Sequence, residues 1–304
     1  MKFFERYKQW LYEARWTLGF IEATPKDILD GASYVVHYIK GMPKNRWFAD
    51  PFILSVDEHH IDLLVEDFSY STQKGIISRL TVDKCTYMLK IRQPILELPT
   101  HLSFPAILRQ PDGTIIIYPE NSESGKCEKY IYDATTNTCK CIGTLLDKPL
   151  TDAIVTNLFG EELLFSTHLP VSNANGNILS VYSIDGQLLQ QCKFETNIAR
   201  NGGDWFKVED GIYRPAQDCN NGYGKAIILQ EVKRKDGVFS FRNIKRIEST
   251  HPVYNIGMHT FNSNSNVIVI DLKGYRHYRL MNAIEGKNRL KWRIQRKMRI
   301  LLGK

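Results

Sequence analysis

Short runs of β-branched and aromatic residues, separated by turn-forming pairs, make up most of the chain between residues 50 and 270. Clear examples lie at 52–56, 61–65, 114–118, 163–165 and 266–270. Asp-Gly or Asn-Gly pairs begin at residues 112, 175, 185 and 236, and such pairs favour tight turns between strands. Because no apolar period of 3.6 residues extends over this region, the pattern predicts an all-β fold. A short helix is predicted ahead of it, over residues 3–18.

Polar residues recur at the start of five groups of strands, at positions 50, 103, 152, 201 and 259. A spacing of about 50 residues suits one four-stranded blade of a β-propeller. The repeat therefore predicts a five-bladed β-propeller. The alternative, a pair of β-sandwiches, does not require polar residues at the first strand of each unit. We expect an N-terminal helical segment at 1–33, the propeller at 34–275 and a C-terminal helix at 276–304.

The first strand of each blade in a propeller lines the central channel. Polar residues that are distant in sequence should therefore converge on one funnel: Asp50, His101, Ser103, Asp152, Arg200, Asn201 and His259. Carboxylates, imidazoles and a guanidinium exchange hydrogen bonds with hydroxyl groups, and Trp47, Phe48, Trp205 and Tyr213 offer flat faces for sugar rings. The set predicts a site for a polyhydroxylated or anionic ligand.

Several of the candidate residues also have a purely structural interpretation. Asp50 precedes a proline and can cap backbone amides in a turn, and Glu120 can be a solvated loop glutamate. Arg214 and Asp218 can form an ion pair within one hairpin, or the guanidinium can bind a carboxylate or phosphate. His259 contacts a ligand or is a hydrogen-bonded channel histidine.

The C-terminal segment is strongly basic, unlike the rest of the chain. The chain of 304 residues has a formal net charge of +7, from 40 basic and 33 acidic residues. Residues 287–304 hold eight of the basic residues and no acid, so the rest of the chain is close to neutral. Apolar residues at helical spacing and Trp292 make this segment typical of a basic amphipathic helix on an anionic membrane surface. The alternative is a helix that docks on the body with its charges in water.

Features that the sequence lacks lead to further predictions about partners and cellular location. A balanced body without interleaved basic and aromatic strands indicates no nucleic-acid partner. No apolar run is long enough for a transmembrane helix, no secretory signal is recognisable, and the six cysteines form no zinc-type pairs. We expect a cytoplasmic protein, peripheral to the inner face of the membrane, with no cofactor and no metal.

Six ordered motifs carry a resemblance to a known family: WFADPF at 47–52, HLSFP at 101–105, YPEN at 118–121, YRPAQDC at 213–219, YG at 223–224 and GMHTFN at 257–262. Over residues 34–271 the chain resembles the propeller domain named after the N-terminal part of plant glucosamine inositolphosphorylceramide transferase. The resemblance implies a carbohydrate-active protein of surface polysaccharide or glycolipid biosynthesis.

That domain is distantly similar to the five-bladed propellers of glycoside hydrolase family 43. The similarity implies that Asp50 is a general base, Asp152 a second carboxylate that tunes the pair, and Glu120 a general acid. Such chemistry needs one carboxyl group that stays protonated and one that stays ionised. The candidate substrate-binding residues, with three added from the 213–219 motif, are Trp47, His101, Ser103, Arg200, Asn201, Arg214, Gln217, Asp218 and His259.

Two functions fit these expectations. The first is an enzyme that transfers or cleaves a glycosyl group at the centre of the propeller and acts on a glycan or a sugar donor. The second is a non-catalytic glycan-binding propeller that assists a partner glycosyltransferase. A purely structural interaction protein would instead have its central channel blocked by apolar side chains.

Overall fold

The computed structural model describes residues 12–167, 176–264 and 266–280. In these residues, twenty strands form five antiparallel sheets of four strands each. Each of the first four sheets uses four consecutive strands. Their bounds are β3 (Arg46–Val56), β4 (His60–Ser69), β5 (Lys74–Asp83) and β6 (Leu89–Leu96) in blade 1; β7 (Ser103–Arg109), β8 (Ile115–Glu120), β9 (Cys127–Asp133) and β10 (Thr138–Leu146) in blade 2; β11 (Thr151–Thr156), β12 (Leu163–Thr167), β13 (Ile178–Ser183) and β14 (Leu188–Lys193) in blade 3; and β15 (Phe206–Val208), β16 (Gly211–Asp218), β17 (Ala226–Lys235) and β18 (Val238–Ile247) in blade 4.

The fifth blade joins the two ends of the described chain. Its order is β19 (Phe261–Asn264), β20 (Val267–Tyr275), β1 (Ala14–Ile21) and β2 (His37–Tyr38). Strand β1 pairs with β20 along its whole length, from Ala14 opposite Tyr275 to Ile21 opposite Ile268. This pairing closes the ring with backbone hydrogen bonds inside blade 5, between strands from the two ends of the described chain. The predicted five-bladed β-propeller is confirmed.

The helix predicted over residues 3–18 is wrong where the structure describes it, because residues 14–18 belong to β1. Six of the eight residues of β1 are buried, and a strand that is buried on both faces loses the alternation that distinguishes it from a helix. Blade 5 therefore begins before the predicted boundary at residue 34. Residues 3–11 lie outside the described residues.

Two short helices occur in the described part of the chain: α1 (Pro25–Asp30) and a 3₁₀ turn (Ser122–Ser124). Helix α1 begins with a capping box, in which Thr24 and Asp27 satisfy each other's backbone amides. The predicted basic C-terminal helix lies, from residue 281 onward, outside the described residues. In the part that is described, no helix has the length and apolar content to cross a bilayer.

The core lies between the blades rather than at the centre of the ring. Aromatic pairs join neighbouring blades, with ring centroids 5.0 to 5.8 Å apart: Phe52–Phe104, Phe165–Phe239, Phe206–Phe261 and Phe20–Tyr87. Such edge and tilted contacts add to the burial of apolar area, which contributes about 25 cal/mol per Å². Because apolar side chains fill the blade interfaces, the axis is left to polar groups.

Blade 4 approaches blade 5 through Gly202 and Gly203. The amide of Phe261 donates to the carbonyl of Gly202 at 2.7 Å, and a Cβ on Gly203 would lie 2.2 Å from the carbonyl oxygen of Phe261. Gly203 also has a φ of +138°, which residues with a side chain rarely adopt. The glycine pair therefore serves close packing of two inner segments.

Candidate functional site

The inner strands of blades 1, 2 and 3 share one irregularity at the same level of the channel. Each has a β-bulge, where its register shifts against the second strand of the blade. The bulged residue in each case has a left-handed backbone: Asp50 (φ 49°), Phe104 (φ 44°) and Asp152 (φ 47°). Residues other than glycine adopt this conformation where the surrounding structure enforces it, often at functional sites. The bulges turn three backbone amides out of the sheets.

Carboxylates from the neighbouring blade accept those amides. Phe104 donates to Asp50 Oδ2 at 3.0 Å, Asp152 donates to Glu120 Oε2 at 2.9 Å, and Asp50 donates to Asp271 Oδ2 at 3.1 Å. In each pair the carboxylate belongs to the preceding blade of the ring. The acidic side chains therefore hold the blades together and are themselves held in place by them.

These groups surround a cavity of about 410 Å³ at one end of the axis. Its lining combines four carboxylates, two histidines, one arginine, one serine and four aromatic residues. They are Trp16, Trp47, Asp50, Glu66, Phe68, His101, Ser103, Glu120, Asp152, Arg200, Tyr223 and His259. We call this cavity the funnel. A cavity that combines convergent polar groups with aromatic faces is suited to a hydroxylated ligand.

Asp271 anchors the wall of the funnel in blade 5. It is fully buried, and its Oδ1 accepts the amides of His259 and Thr260 at 2.9 and 3.0 Å. Its Oδ2 lies 2.6 Å from His259 Nδ1, and Asp50 Oδ1 lies 3.7 Å from the same nitrogen. The donor atoms of these three side chains lie within 4.8 Å of one another. Asp271 thus accepts three backbone amides, two on Oδ1 and one on Oδ2.

Burial and mutual charge set the protonation of this cluster. Burial by itself would raise the pKa of Asp271, but His259 and the amide donors lower it below its ordinary value. Burial would lower the pKa of His259, yet Asp271 and Asp50 raise it. Burial raises the pKa of Asp50 well above its usual range, against the opposing charge of His259. Asp271 is therefore the ionised member, and Asp50 is a stronger base than an exposed aspartate.

Asp152 and Glu120 form a second, differently tuned pair. Asp152 Oδ2 accepts hydrogen bonds from Arg200 Nε at 2.5 Å and Gln217 Nε2 at 3.0 Å. These two donors fix the position of the Asp152 carboxylate. Burial and the adjacent Asp152 raise the pKa of Glu120 to about 7. Glu120 therefore exchanges a proton near neutral pH, beside an aspartate that is fixed by Arg200 and Gln217.

His101 belongs to a third polar pair, with Glu66. The Gly75 amide donates to His101 Nδ1 at 3.0 Å, and His101 Nε2 lies 3.3 Å from Glu66 Oε1. A neutral ring that accepts at Nδ1 carries its proton on Nε2, so that proton points to Glu66. This contact joins blade 1 to the entry of blade 2.

Aromatic rings form the upper wall of the funnel. Trp47 stacks on Phe68 with ring centroids 4.5 Å apart and an angle of 9°. Trp16 stacks on His259 at 4.0 Å, and Tyr223 contacts the same imidazole edge-on at 5.3 Å. These rings present extended apolar faces beside the polar groups.

The structure brings eight of the predicted site residues into the funnel and leaves four outside its lining. Asn201 is buried behind it, donates to the carbonyls of Asp152 and Phe165, and accepts from Arg214. Gln217 lies behind Asp152 and holds its carboxylate. The remaining positions, Arg214 and Asp218, are described next.

Arg214 and Asp218 do not pair with each other. Arg214 is fully buried and bonds Asn201, Gln230 and the carbonyl of Ala199. Asp218 instead pairs with Arg246 at 2.9 Å. The ion pair predicted within this hairpin is therefore wrong, because Arg214 lies in the middle of β16 and Asp218 at its last residue, where they meet different neighbours.

Sequence reasoning missed five residues of the site: Trp16, Glu66, Phe68, Tyr223 and Asp271. Glu66 and Phe68 lie on β4 and Asp271 on β20, which are second strands, whereas the repeat argument placed only the starts of first strands at the funnel. Trp16 lies in the region predicted to be helical. Tyr223 was noted only as part of a motif. A polar residue inside an apolar strand, as Asp271 is in the run 267–272, was the available signal.

The fold and the site together define a five-bladed β-propeller with a polar, carboxylate-rich funnel at one end of its axis. The chain belongs to the family whose model is described as "Glucosamine inositolphosphorylceramide transferase 1, N-terminal", which matches residues 35–256.

Curated relatives come from plants. The chain is 28% identical over 207 residues to glucosamine inositolphosphorylceramide transferase 1 of Arabidopsis thaliana, a match that covers 64% of this chain and 26% of that protein. The protein of the same name from Oryza sativa subsp. japonica is 28% identical over 208 residues, covering 64% and 27%. The chain therefore spans about a quarter of the length of these relatives.

Solved structures similar to the chain include a putative glycoside hydrolase from Bacteroides ovatus, with a TM-score of 0.48 and 11% identity over 74% of this chain and 86% of that one. A GH43 protein from Bacillus licheniformis has a TM-score of 0.47 and 11% identity, covering 70% and 48%. The five-bladed architecture of this chain is established by its own strand pairing.

Proposed function

We propose that this chain is a carbohydrate-active protein that binds a sugar in the funnel and transfers or cleaves a glycosyl group there, in the biosynthesis of a surface polysaccharide or glycolipid. The observation that carries the proposal is the adjacent pair of Asp152 and Glu120: Asp152 contacts Arg200 at 2.5 Å, and the pKa of Glu120 is raised to about 7. Membership of a family named after a glycosyltransferase supports the same substrate class.

In the proposed reaction, Glu120 is the general acid. It donates its proton to the oxygen of the leaving group as the bond from that oxygen to the anomeric carbon breaks. Asp50 is the general base and takes a proton from the incoming water or sugar hydroxyl as the new bond to that carbon forms. Acid and base catalysis are most effective when the pKa lies near the working pH, and burial moves the pKa of both groups upward.

Asp152 has the role of the tuning carboxylate. Its proximity raises the pKa of Glu120, and Arg200 and Gln217 hold its carboxylate in position. Asn201 and Gln217 then act as positioning residues behind the funnel. Trp47, His101, Ser103, Arg200 and His259 line the cavity and are the proposed contacts for sugar hydroxyls and ring faces.

A glycan-binding propeller that assists a partner glycosyltransferase is the second candidate. Two observations favour it. Asp50 and Asp152 already accept hydrogen bonds from protein donors, and the chain corresponds to only about a quarter of the plant transferases, in a family described as their N-terminal part. We also propose a cytoplasmic location, with residues 287–304 on the inner face of a membrane.

Asp50→Asn separates the two candidates. Asparagine keeps an oxygen for the Phe104 amide but cannot act as a base, so turnover of a panel of glycosyl donors should fall at least about 100-fold while glycan affinity stays within about threefold. Asp218→Asn is the matched control, because Asp218 pairs with Arg246 outside the funnel lining; its turnover should be unchanged. Binding without any turnover by the wild type would favour the second candidate, and an equal turnover for Asp50→Asn and wild type would reject the catalytic role.

A further inference from the structure

Lys273 is a cation beside two aromatic residues of the funnel lining, Trp16 and Tyr223, and the sugar chemistry above does not use it. It lies on β20, directly opposite Trp16 of β1. Its Nζ is 5.3 Å from the ring centroid of Trp16 and 5.3 Å from that of Tyr223. Both rings line the funnel. The ammonium is thus held between two aromatic faces of the ligand cavity.

The ammonium has no anionic partner in the part of the chain that the structure describes. No carboxylate lies within 4.0 Å of it there, and no hydrogen bond engages it. Asp271, two positions earlier on the strand, directs its oxygens to three amides and to His259. Burial lowers the pKa of Lys273, which indicates that its charge is poorly compensated.

Charge is distributed unevenly around the funnel. Blades 1 and 2 contribute Asp50, Glu66 and Glu120, whereas the cations lie near blades 4 and 5. Arg200 Cζ lies 4.8 Å from the Tyr223 centroid, so Tyr223 contacts both Arg200 and Lys273. Arg200 is paired with Asp152 at 2.5 Å, which leaves Lys273 as the uncompensated positive group. A ligand with one anionic substituent would therefore be oriented with that substituent towards blades 4 and 5.

We propose that Lys273, between Trp16 and Tyr223, forms an anion subsite of the funnel, which selects a sugar that carries a phosphate or carboxylate group. The inference rests on the proposed sugar-binding function and adds the charge class of the ligand and its orientation. A charge-assisted hydrogen bond in a partly buried site contributes enough to favour the anionic sugar about tenfold or more over its neutral parent.

The test compares three probes on the full chain: glucose, glucose 1-phosphate and glucuronic acid, with affinities measured by titration calorimetry. Wild type should bind at least one anionic probe about tenfold more tightly than glucose, and this preference should shrink as salt is raised from 50 to 500 mM. Lys273→Met, which keeps an apolar side chain between the rings, should lose the preference and retain its affinity for glucose. A role in packing alone would instead weaken all three probes equally and would overturn the proposal.

Lys225→Met is the matched control. Lys225 lies two residues from Tyr223, but its ammonium is already engaged, because it donates to the carbonyl of Asn255 at 3.2 Å. The control should keep the wild-type preference, and both variants should keep the wild-type melting temperature within a few degrees.

The outcomes distinguish the inference from the function on which it rests. A preference for only one anionic probe supports the subsite and identifies its anion as phosphate or carboxylate. Equal affinity of wild type for all three probes overturns the subsite and leaves the sugar funnel intact. Absence of binding by every probe overturns both.

Discussion

Replacing Asp271 with asparagine removes one negative charge and one hydrogen-bond acceptor from a fully buried side chain that joins blades 5 and 1. The carboxylate accepts amides from His259 and Thr260 on one oxygen and from Asp50 on the other, which also lies 2.6 Å from His259 Nδ1. Asparagine can keep its oxygen on one side only. On the other side its NH₂ group faces the donor N–H of Asp50, which is then left without an acceptor.

The expected cost follows from these contacts. An unsatisfied buried amide costs about 1–3 kcal/mol, and removal of one partner from a buried ion pair costs about 3–5 kcal/mol. The two effects overlap, so we expect Asp271→Asn to lower the free energy of unfolding by about 3–5 kcal/mol. Asp218→Asn breaks a partly exposed pair with Arg246 and should cost about 1 kcal/mol or less.

The pH dependence gives a second readout. The pKa of Asp271 is lowered in the folded state, so its contribution is present above about pH 4 and is lost as pH falls through the folded pKa. The pKa of His259 is raised, so its contribution is complete below about pH 6.5 and is lost as pH rises through the folded pKa. The destabilisation by Asp271→Asn should therefore be larger at pH 6 than at pH 9.

Urea titrations of wild type, Asp271→Asn and Asp218→Asn at pH 6 and pH 9 measure both effects, provided that the m-value is unchanged. A loss below about 1 kcal/mol at pH 6, or a loss that grows at pH 9, would refute the reasoning. It would mean that the Asp271 carboxylate does not hold an ionised pair with His259.

Two further predictions concern Glu120 and the C-terminal segment. The pKa of Glu120 is about 4.5 in the unfolded chain and about 7 in the folded protein. The folded state therefore binds more protons between these values, and wild type loses stability as pH rises through this window. Glu120→Gln should lack this loss, so an equal change in melting temperature between pH 5 and pH 8 for both proteins would contradict the assignment. Deletion of 287–304 should leave the melting temperature of the body unchanged and abolish co-sedimentation with vesicles that contain anionic lipid. The reason is that each basic residue near such a surface contributes about 1 kcal/mol of attraction to it. Neutral vesicles are the control, and unchanged sedimentation with anionic vesicles would reject the membrane proposal.

Particular residues show how far the sequence predicted the site. Asp50, Asp152 and His259 were expected at one funnel because each begins a strand group about 50 residues from the next, and the structure brings them to the same cavity. Glu120, expected from a motif at the end of β8, also lines it. Their common location was predictable because a propeller repeats one local unit, so the position of a residue in its unit fixes its level along the axis; their functional roles stay predictions.

Arg214 and Asp218 show where the same reasoning failed. They share one motif and one strand, yet Arg214 is enclosed behind Asn201 and Asp218 pairs with Arg246. Their partners come from other strands, and the motif contains no information about them. The early strand β1 was mistaken for a helix for a similar reason, because its partner β20 lies at the far end of the described chain.

The amino-acid sequence by itself determined the all-β character, the five-fold repeat and the identity of the carboxylates and histidines at the strand starts, because strand propensity, turn residues and period are local properties. The tertiary structure alone decided which groups share protons and which remain unpaired. The pKa of Glu120, the role of Asp271 and the position of Lys273 between Trp16 and Tyr223 depend on distances between residues from different blades. Those distances are set by the bulges in the inner strands and by the closure of the ring, and both exist only once the blades have packed.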